Sequence, residues 1–166
     1  MNFSNIVQST NEESDYVRNK LIEFNSQHVL NGRYEEVNLC LKNDKEEIIA
    51  GLNSAICWNW MEIDILWIRV DYREQGYGKK LLEEAEKISR EKNCSFIKLN
   101  TFSFQAPDFY KKYGYKIIAV IENAPNDYKH YYLLKEAQSQ NQCLTVSQSA
   151  VGGCIQSEYQ LYSDQD

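Results

Sequence analysis

The sequence predicts an α/β (α+β) fold in which a mixed sheet carries helices on both faces. Two features of the chain order point there. A helical pattern near the start is followed by strands, and a strand–helix–strand–helix–strands succession follows that. No internal repeat is visible, and 166 residues suit a single domain with one core. The apolar share of 43% is ordinary for a globular chain.

Taken in order, Phe3 to Val7 suit a short first strand. Asn11 to Ser26 reads as a helix, with Thr10 or Asn11 as its cap and Tyr16, Val17, Lys20, Leu21 and Phe24 roughly along one face. Val29 to Arg33 is a loop with Asn31-Gly32 as its turn signal. Tyr34 to Lys42 alternates at Val37, Leu39 and Leu41, as a half-buried strand does, and Asn43-Asp44 turns it. Ile48 to Cys57 makes the next strand, and Asn59 turns the chain into a central one. Glu62 to Val70 is apolar and rich in β-branched residues, which suits a strand buried inside a sheet. A polar turn from Asp71 to Gln75 leads into Gly76 and Gly78. Beyond them Leu81, Leu82, Ala85 and Ile88 share one helical face, with Lys79–Glu83 and Lys80–Glu84 spaced to pair on the other. Phe96 to Phe102 is a strand, and Ala106 to Tyr113 a short helix closed by Gly114. Tyr115 to Ile121 and Tyr128 to Leu134 are two further strands, joined by a turn containing Asn123, Pro125 and Asn126.

Residues 1–135 therefore form the expected domain, and 136–166 differ in kind. That last stretch is rich in glutamine and serine, holds the Gly152-Gly153 pair, lacks steady apolar period and reads as a flexible tail. Its Tyr159, Leu161 and Tyr162 could instead anchor a partner. All 18 Lys and Arg fall within 1–135 beside 20 of the 24 Asp and Glu, a net of −2, against −4 for the tail. A nearly neutral domain argues against a nucleic-acid surface. No apolar run approaches the roughly 18 residues of a membrane helix, and the N-terminus lacks a signal-peptide pattern. Five cysteines form no C-x-x-C pair. Cys40, Cys57 and Cys94 read as buried free thiols, and with only His28 and His130 beside them no metal is expected. A reduced, cytoplasmic setting follows.

The strand–turn–helix at residues 62–91 has a chemical consequence. The first turn of a helix leaves backbone N–H groups unpaired, and the dipole adds roughly half a positive charge there. Residues 74–78 offer no good capping oxygen, so a phosphate could fill the position. The same glycines could equally serve only a tight turn.

Arg73-Glu74-Gln75-Gly76-Tyr77-Gly78 resembles the Arg/Gln-x-x-Gly-x-Gly/Ala signature of the GNAT family of N-acetyltransferases, placed between a buried strand and a helix as that family has it. Ala106-Pro107-Asp108-Phe109-Tyr110-Lys111-Lys112-Tyr113-Gly114-Tyr115 is similar to the family's Ala-x-x-Phe-Tyr-x-x-x-Gly-Phe segment. The resemblance covers about residues 35–135. It implies a mostly antiparallel mixed sheet with a splayed central strand pair, and transfer of an acetyl group from acetyl-CoA to a primary amine of a small molecule or a lysine. A non-catalytic coenzyme A sensor or partner-binding module of the same shape is the alternative. Dimers are frequent in the family.

Carried over residue by residue, the resemblance implies that the amides of Gln75, Gly76, Tyr77, Gly78 and Lys79 bind the pyrophosphate, with Arg73 in the same loop. It places Leu66, Trp67 and Ile68 along the pantetheine arm, the Leu66 N–H polarising the thioester carbonyl. Ala106 opens the segment beside the thiol end. Tyr110 becomes the general acid toward sulfur, although a tyrosine there could also simply pack its ring. Ser103 stands where the family often has an asparagine that bonds the cofactor, a departure at which Ser103 or Gln105 could supply the contact instead. Glu62, eleven residues before Arg73, holds the position of the base in some protein-modifying members. Asp64 lies two residues on, and two close carboxylates raise one another's pKa. His130 and a water chain are the other candidates for the base.

Overall fold

The computed structural model describes residues 6–29 and 32–137. Ten elements follow one another, and the strands build one sheet in the order β1 (Tyr34–Lys42), β2 (Ile48–Cys57), β3 (Trp60–Ile68), β4 (Phe96–Phe102), β6 (His130–Glu136), β5 (Lys116–Ile121).

The first helix, α1 (Asn11–Ser26), begins where the capping residues put it. The Thr10 amide donates to Glu13 Oε2 (2.8 Å) and the Glu13 amide to Thr10 Oγ1 (3.3 Å), a reciprocal capping box. None of its residues is buried, so Tyr16, Val17, Leu21 and Phe24 stand exposed. The expected strand at Phe3 to Val7 lies partly outside the described residues. Ile6 and Val7 are not extended into the sheet, whose edge strand β1 pairs only with β2. Leu30 and Asn31 of the expected loop, and the tail from residue 138, also lie outside the described residues.

Strands β1 (Tyr34–Lys42), β2 (Ile48–Cys57) and β3 (Trp60–Ile68) form an antiparallel meander. The central strand starts and stops two residues earlier than its composition suggests. Arg69 still donates its amide to Ile49 O (2.9 Å), but Val70, which falls opposite Ile48 at the first position of β2, has no ladder partner. It is 73% exposed and opens a single 3-10 turn, Val70–Tyr72. Helix α2 (Tyr77–Glu91) then returns across one face of the sheet, burying Leu81, Leu82 and Ala85 against β1 to β4. Each of those leucines contributes about 2 kcal/mol through burial. On the solvent side Lys79 meets Glu83 at 3.6 Å, whereas Glu84 pairs with Lys87 (3.1 Å) instead of Lys80.

Strand β4 (Phe96–Phe102) runs parallel to β3, the short α3 (Pro107–Lys112) follows, and β5 (Lys116–Ile121) and β6 (His130–Glu136) pair antiparallel beyond it. The sheet continues through Glu136, and the Ala137 amide still donates to Ser95 O (2.9 Å). Leu52, Ile56, Met61, Leu82, Ile97 and Leu133 lie at the centre of the core. Cys94 is buried as expected and Cys57 half-buried. Cys40 is exposed: it alternates with Leu39 and Leu41 on β1 and so faces away from α2.

Candidate active site

Strands β3 and β4 pair over only four positions, Trp60 with Phe96 through Ile63 with Leu99. Beyond them β3 continues to Ile68 along β2, and β4 continues to Phe102 along β6, with no pairing between the two. The central strands therefore open into a wedge. Its closed end lies at Ile63 and Leu99, and its β3 side ends just before the turn that leads into α2.

A β-bulge sits at the closed end. Ser54 pairs with Ile63 and Asn53 with Ile65, leaving Asp64 as the extra residue. The bulge resets which backbone groups face the wedge. Because the Arg69 amide bonds Ile49, antiparallel alternation gives the same bonded status to Trp67 opposite Gly51 and Ile65 opposite Asn53. The N–H and C=O of Leu66 and Ile68 then point the other way, into the wedge. The Ile68 carbonyl already has a partner there, accepting from Arg73 Nε at 3.2 Å. Of the three strand residues expected along a ligand arm, Leu66 and Ile68 thus present backbone to the wedge. Trp67 does not; its side chain, 45% exposed, lies on the sheet face away from α2.

The glycine turn is built by two different constraints. Gly76 is the N-cap of α2 with φ +85°, a left-handed conformation that L side chains adopt at a cost, and a Cβ there would meet nothing within 4 Å. Gly78 lies inside the helix, where a Cβ would stand 3.3 Å from Phe109 Cζ and 3.8 Å from Ile68 Cδ1. Phe109 belongs to α3, so this contact brings the second motif onto the first turn of α2. No side chain caps the helix, and its first turn carries no acidic residue. The first bonded amide is that of Lys80, on Gly76 O at 3.0 Å. Gln75, Gly76 and Lys79 are exposed. The Gln75 side chain donates to Asp71 O (2.9 Å) and so folds back on the turn, while Tyr77 packs its ring 6.0 Å from Tyr72. An uncapped positive helix end under an open glycine turn fits a diphosphate.

On α3, Ala106 is the N-cap and Tyr110 the buried residue. Burial pushes the Tyr110 phenol up to about 12, so it is protonated across the neutral range. Ser103 has its hydroxyl occupied as an acceptor from the Lys129 amide (3.1 Å), pinning the start of the β4–α3 connection to the chain entering β6. Gln105 is also committed, accepting from the Phe102 amide (2.9 Å) and Thr101 Oγ1 (3.1 Å).

The carboxylates lie on the face away from α2. Glu62 and Lys98 are register partners across the parallel pair, and Lys98 Nζ lies 2.9 Å from Glu62 Oε2. Burial first, then the charge of Glu62, pushes the Asp64 carboxyl up from its usual value, against the opposing pull of Lys98. Cys57, on β2, is raised by burial and by the same two carboxylates. His130 belongs to another cluster. Its Nε2 lies 2.9 Å from Asn100 Oδ1 and its ring stacks on Phe102 at 4.3 Å. Phe102, its register partner, is four positions along β4 from Lys98, about 13 Å at the strand rise. The structure thus gathers Glu62 and Asp64 at the closed end and leaves His130 apart. Lys98 is the member that sequence reasoning missed, since only the β3–β4 register reveals it. Among the described residues no group of three or more His, Cys, Asp or Glu is placed to hold a metal ion, and no helix is long and apolar enough to cross a membrane.

A wedge-split mixed sheet with a glycine turn at the mouth of its central helix defines an acetyltransferase architecture. The chain belongs to the Acetyltransferase (GNAT) family, whose sequence profile matches residues 4–115, and it is an enzyme of that acyltransferase class. It is 34% identical over 94 residues to blasticidin-S acetyltransferase of Streptomyces morookaense, covering 56% of this chain and 69% of that one. A crystal structure of an acetyltransferase from Bacillus cereus is 37% identical, with a TM-score of 0.76 over 80% of this chain and 97% of the other. A Bacillus anthracis protein solved in complex with acetyl coenzyme A shares the fold at 22% identity and a TM-score of 0.56, over 66% of each chain.

Proposed function

We propose that the protein moves an acetyl group from acetyl-CoA to a primary amine, of a small molecule or a lysine, by direct attack in a ternary complex. The observation that carries this reading is the uncapped mouth of α2 opening beside the unpaired stretch of β3. The similarity to an enzyme named for acetylating blasticidin S supports the small-molecule side of the choice. A thioester supplies an acyl carbon already activated toward nitrogen nucleophiles; the protein's own residues do the rest.

The amides of Gln75 to Lys79 hold the diphosphate, with Arg73 closing the loop against Ile68. The Leu66 N–H, pointing into the wedge, stabilises negative charge at the acyl oxygen, a contribution of about 3 kcal/mol for a preorganised donor. Trp67 lends its side chain to the face away from α2 rather than its backbone. Tyr110, neutral and buried, delivers a proton to the leaving sulfur. Alkylammonium groups near pKa 10 are mostly protonated at neutral pH, so the Glu62–Asp64 carboxylate pair takes the proton before attack. Ala106 and Ser103 shape the β4–α3 connection beside Tyr110. A single domain over 1–135 with a separate polar tail, in the cytoplasm, completes the reading.

Incubation with acetyl-CoA and an amine panel, with released thiol followed spectrophotometrically, tests it. Amine-dependent thiol release with stoichiometric N-acetyl product is expected. Tight coenzyme A binding without turnover on any amine would make the chain a binding module of the same fold.

A further inference from the structure

The closed end of the wedge carries three charged side chains on one sheet face, and their partners are unequal. Lys98 Nζ is held between Glu62 Oε2 at 2.9 Å and the Trp60 ring at 5.6 Å, and that ring in turn stacks on Phe96 with centroids 5.8 Å apart. The ammonium is therefore fixed laterally as well as paired. Asp64, left without a partner on β2 by the bulge, has no cation of its own among the described residues.

We propose that Lys98 is a positioning residue: it occupies Glu62 and thereby leaves Asp64 as the carboxylate that receives the acceptor's ammonium group and takes its proton. The inference rests on the acetyltransferase reading above and sharpens it. Two carboxylates and one ammonium leave a net charge of −1, which matches an acceptor with one positive charge at this point. The transfer itself is balanced. One N–H proton passes from the ammonium to an Asp64 carboxylate oxygen, and its electron pair stays on nitrogen as the nucleophile.

The groups facing Asp64 are Glu62 on its own strand, Lys98 from β4 and Cys57 from β2. Lys98 is the only one that favours the ionised carboxylate, so its removal raises Asp64 further. Neutralising Glu62 does the reverse twice over, removing a repulsive charge and releasing Lys98 toward Asp64. These opposite signs separate an electrostatic role from a purely structural one.

The experiment uses the full chain, acetyl-CoA and matched mono- and diamines of equal length. In Lys98→Met the acid limb of kcat/KM should move to higher pH. Preference for the diamine over the monoamine should rise about fivefold, the order expected of one partly screened charge. Glu62→Gln should move the acid limb to lower pH, Lys98→Arg should keep the wild-type profile, and Asp64→Asn should lose at least ~100-fold in rate. If the wild type turns over amines but Lys98→Met and Glu62→Gln share its acid limb and selectivity, the role of Lys98 is refuted while the acetyltransferase reading stands. Full activity in Asp64→Asn would likewise remove Asp64. A wild type that acetylates no amine overturns both.

Discussion

Replacing each glycine of the turn by valine separates two physical demands that a motif presents as one. At Gly76, with φ +85° and no heavy atom within 4 Å of a built Cβ, the cost is conformational. About 1–2 kcal/mol is expected for a residue forced into the left-handed region, and a β-branched one falls at the upper end. At Gly78 the backbone is helical, so valine gains about half of the roughly 1 kcal/mol that separates glycine from good helix formers. Against that stands Phe109 Cζ at 3.3 Å. The ring is hemmed in by Tyr110 and Tyr113, with centroids at 5.2 and 4.9 Å, and cannot swing away freely. Overpacking of this kind costs about 1–3 kcal/mol, so the steric term wins and Gly78→Val is net destabilising by about 0.5–2.5 kcal/mol. Similar totals at the two sites come from different causes, and a double-mutant cycle with Phe109→Leu tells them apart. Urea unfolding should show that shortening the Phe109 side chain relieves Gly78→Val by at least ~1 kcal/mol, while Gly76→Val and Phe109→Leu simply add. Additivity at Gly78, or a Gly76→Val protein as stable as the wild type, would refute the reasoning.

Two other outcomes follow from the same geometry. Tyr110→Phe should fold normally and bind coenzyme A as the wild type does, yet lose ~100-fold or more in kcat at neutral pH, measured by thiol release; an unchanged kcat removes Tyr110 from the proton path. Glu35 is held below its ordinary carboxylate value first by Lys92 (2.6 Å) and then by Arg33, a clasp that joins β1 to the end of α2. A depressed folded pKa gives stability that is present above the ordinary value of 4.5 and lost as pH falls through the folded one. The Tm difference between wild type and Glu35→Gln should therefore shrink as pH falls below 4.5, and a difference independent of pH would contradict the clasp.

The parts of this architecture that were legible beforehand are those written in local chemistry. Thr10 and Glu13 announce the start of α1, the alternation at Val37, Leu39 and Leu41 announces β1, and the Gly76–Gly78 turn announces a bare helix end. What depends on register was not legible. The wedge exists because β3 and β4 stop pairing at Ile63 and Leu99, and no residue there differs in type from one that continues a ladder. The bulge at Asp64 decides that Leu66 and Ile68 present backbone to the wedge while Trp67 does not, although all three look alike as apolar strand residues. Lys98 finds Glu62 across 36 residues of chain, through a parallel pairing that side-chain pattern does not encode. Ser103 stands in place of the family's asparagine, and its hydroxyl oxygen accepts from the Lys129 amide, a partner set by the approach of β6. Gly78 could be read as room for a phosphate; the structure gives Phe109 as the nearer reason for its lack of a side chain.

The most direct test of the central claim is a titration of the 15N-labelled full chain with coenzyme A, observed at the backbone amides. The amides of Gln75 to Lys79 should shift together and most strongly, and dephosphorylated pantetheine, which lacks the diphosphate, should leave them unmoved. Amine-dependent acetyl transfer by a protein in which those five amides do not respond to the bound nucleotide would contradict the account.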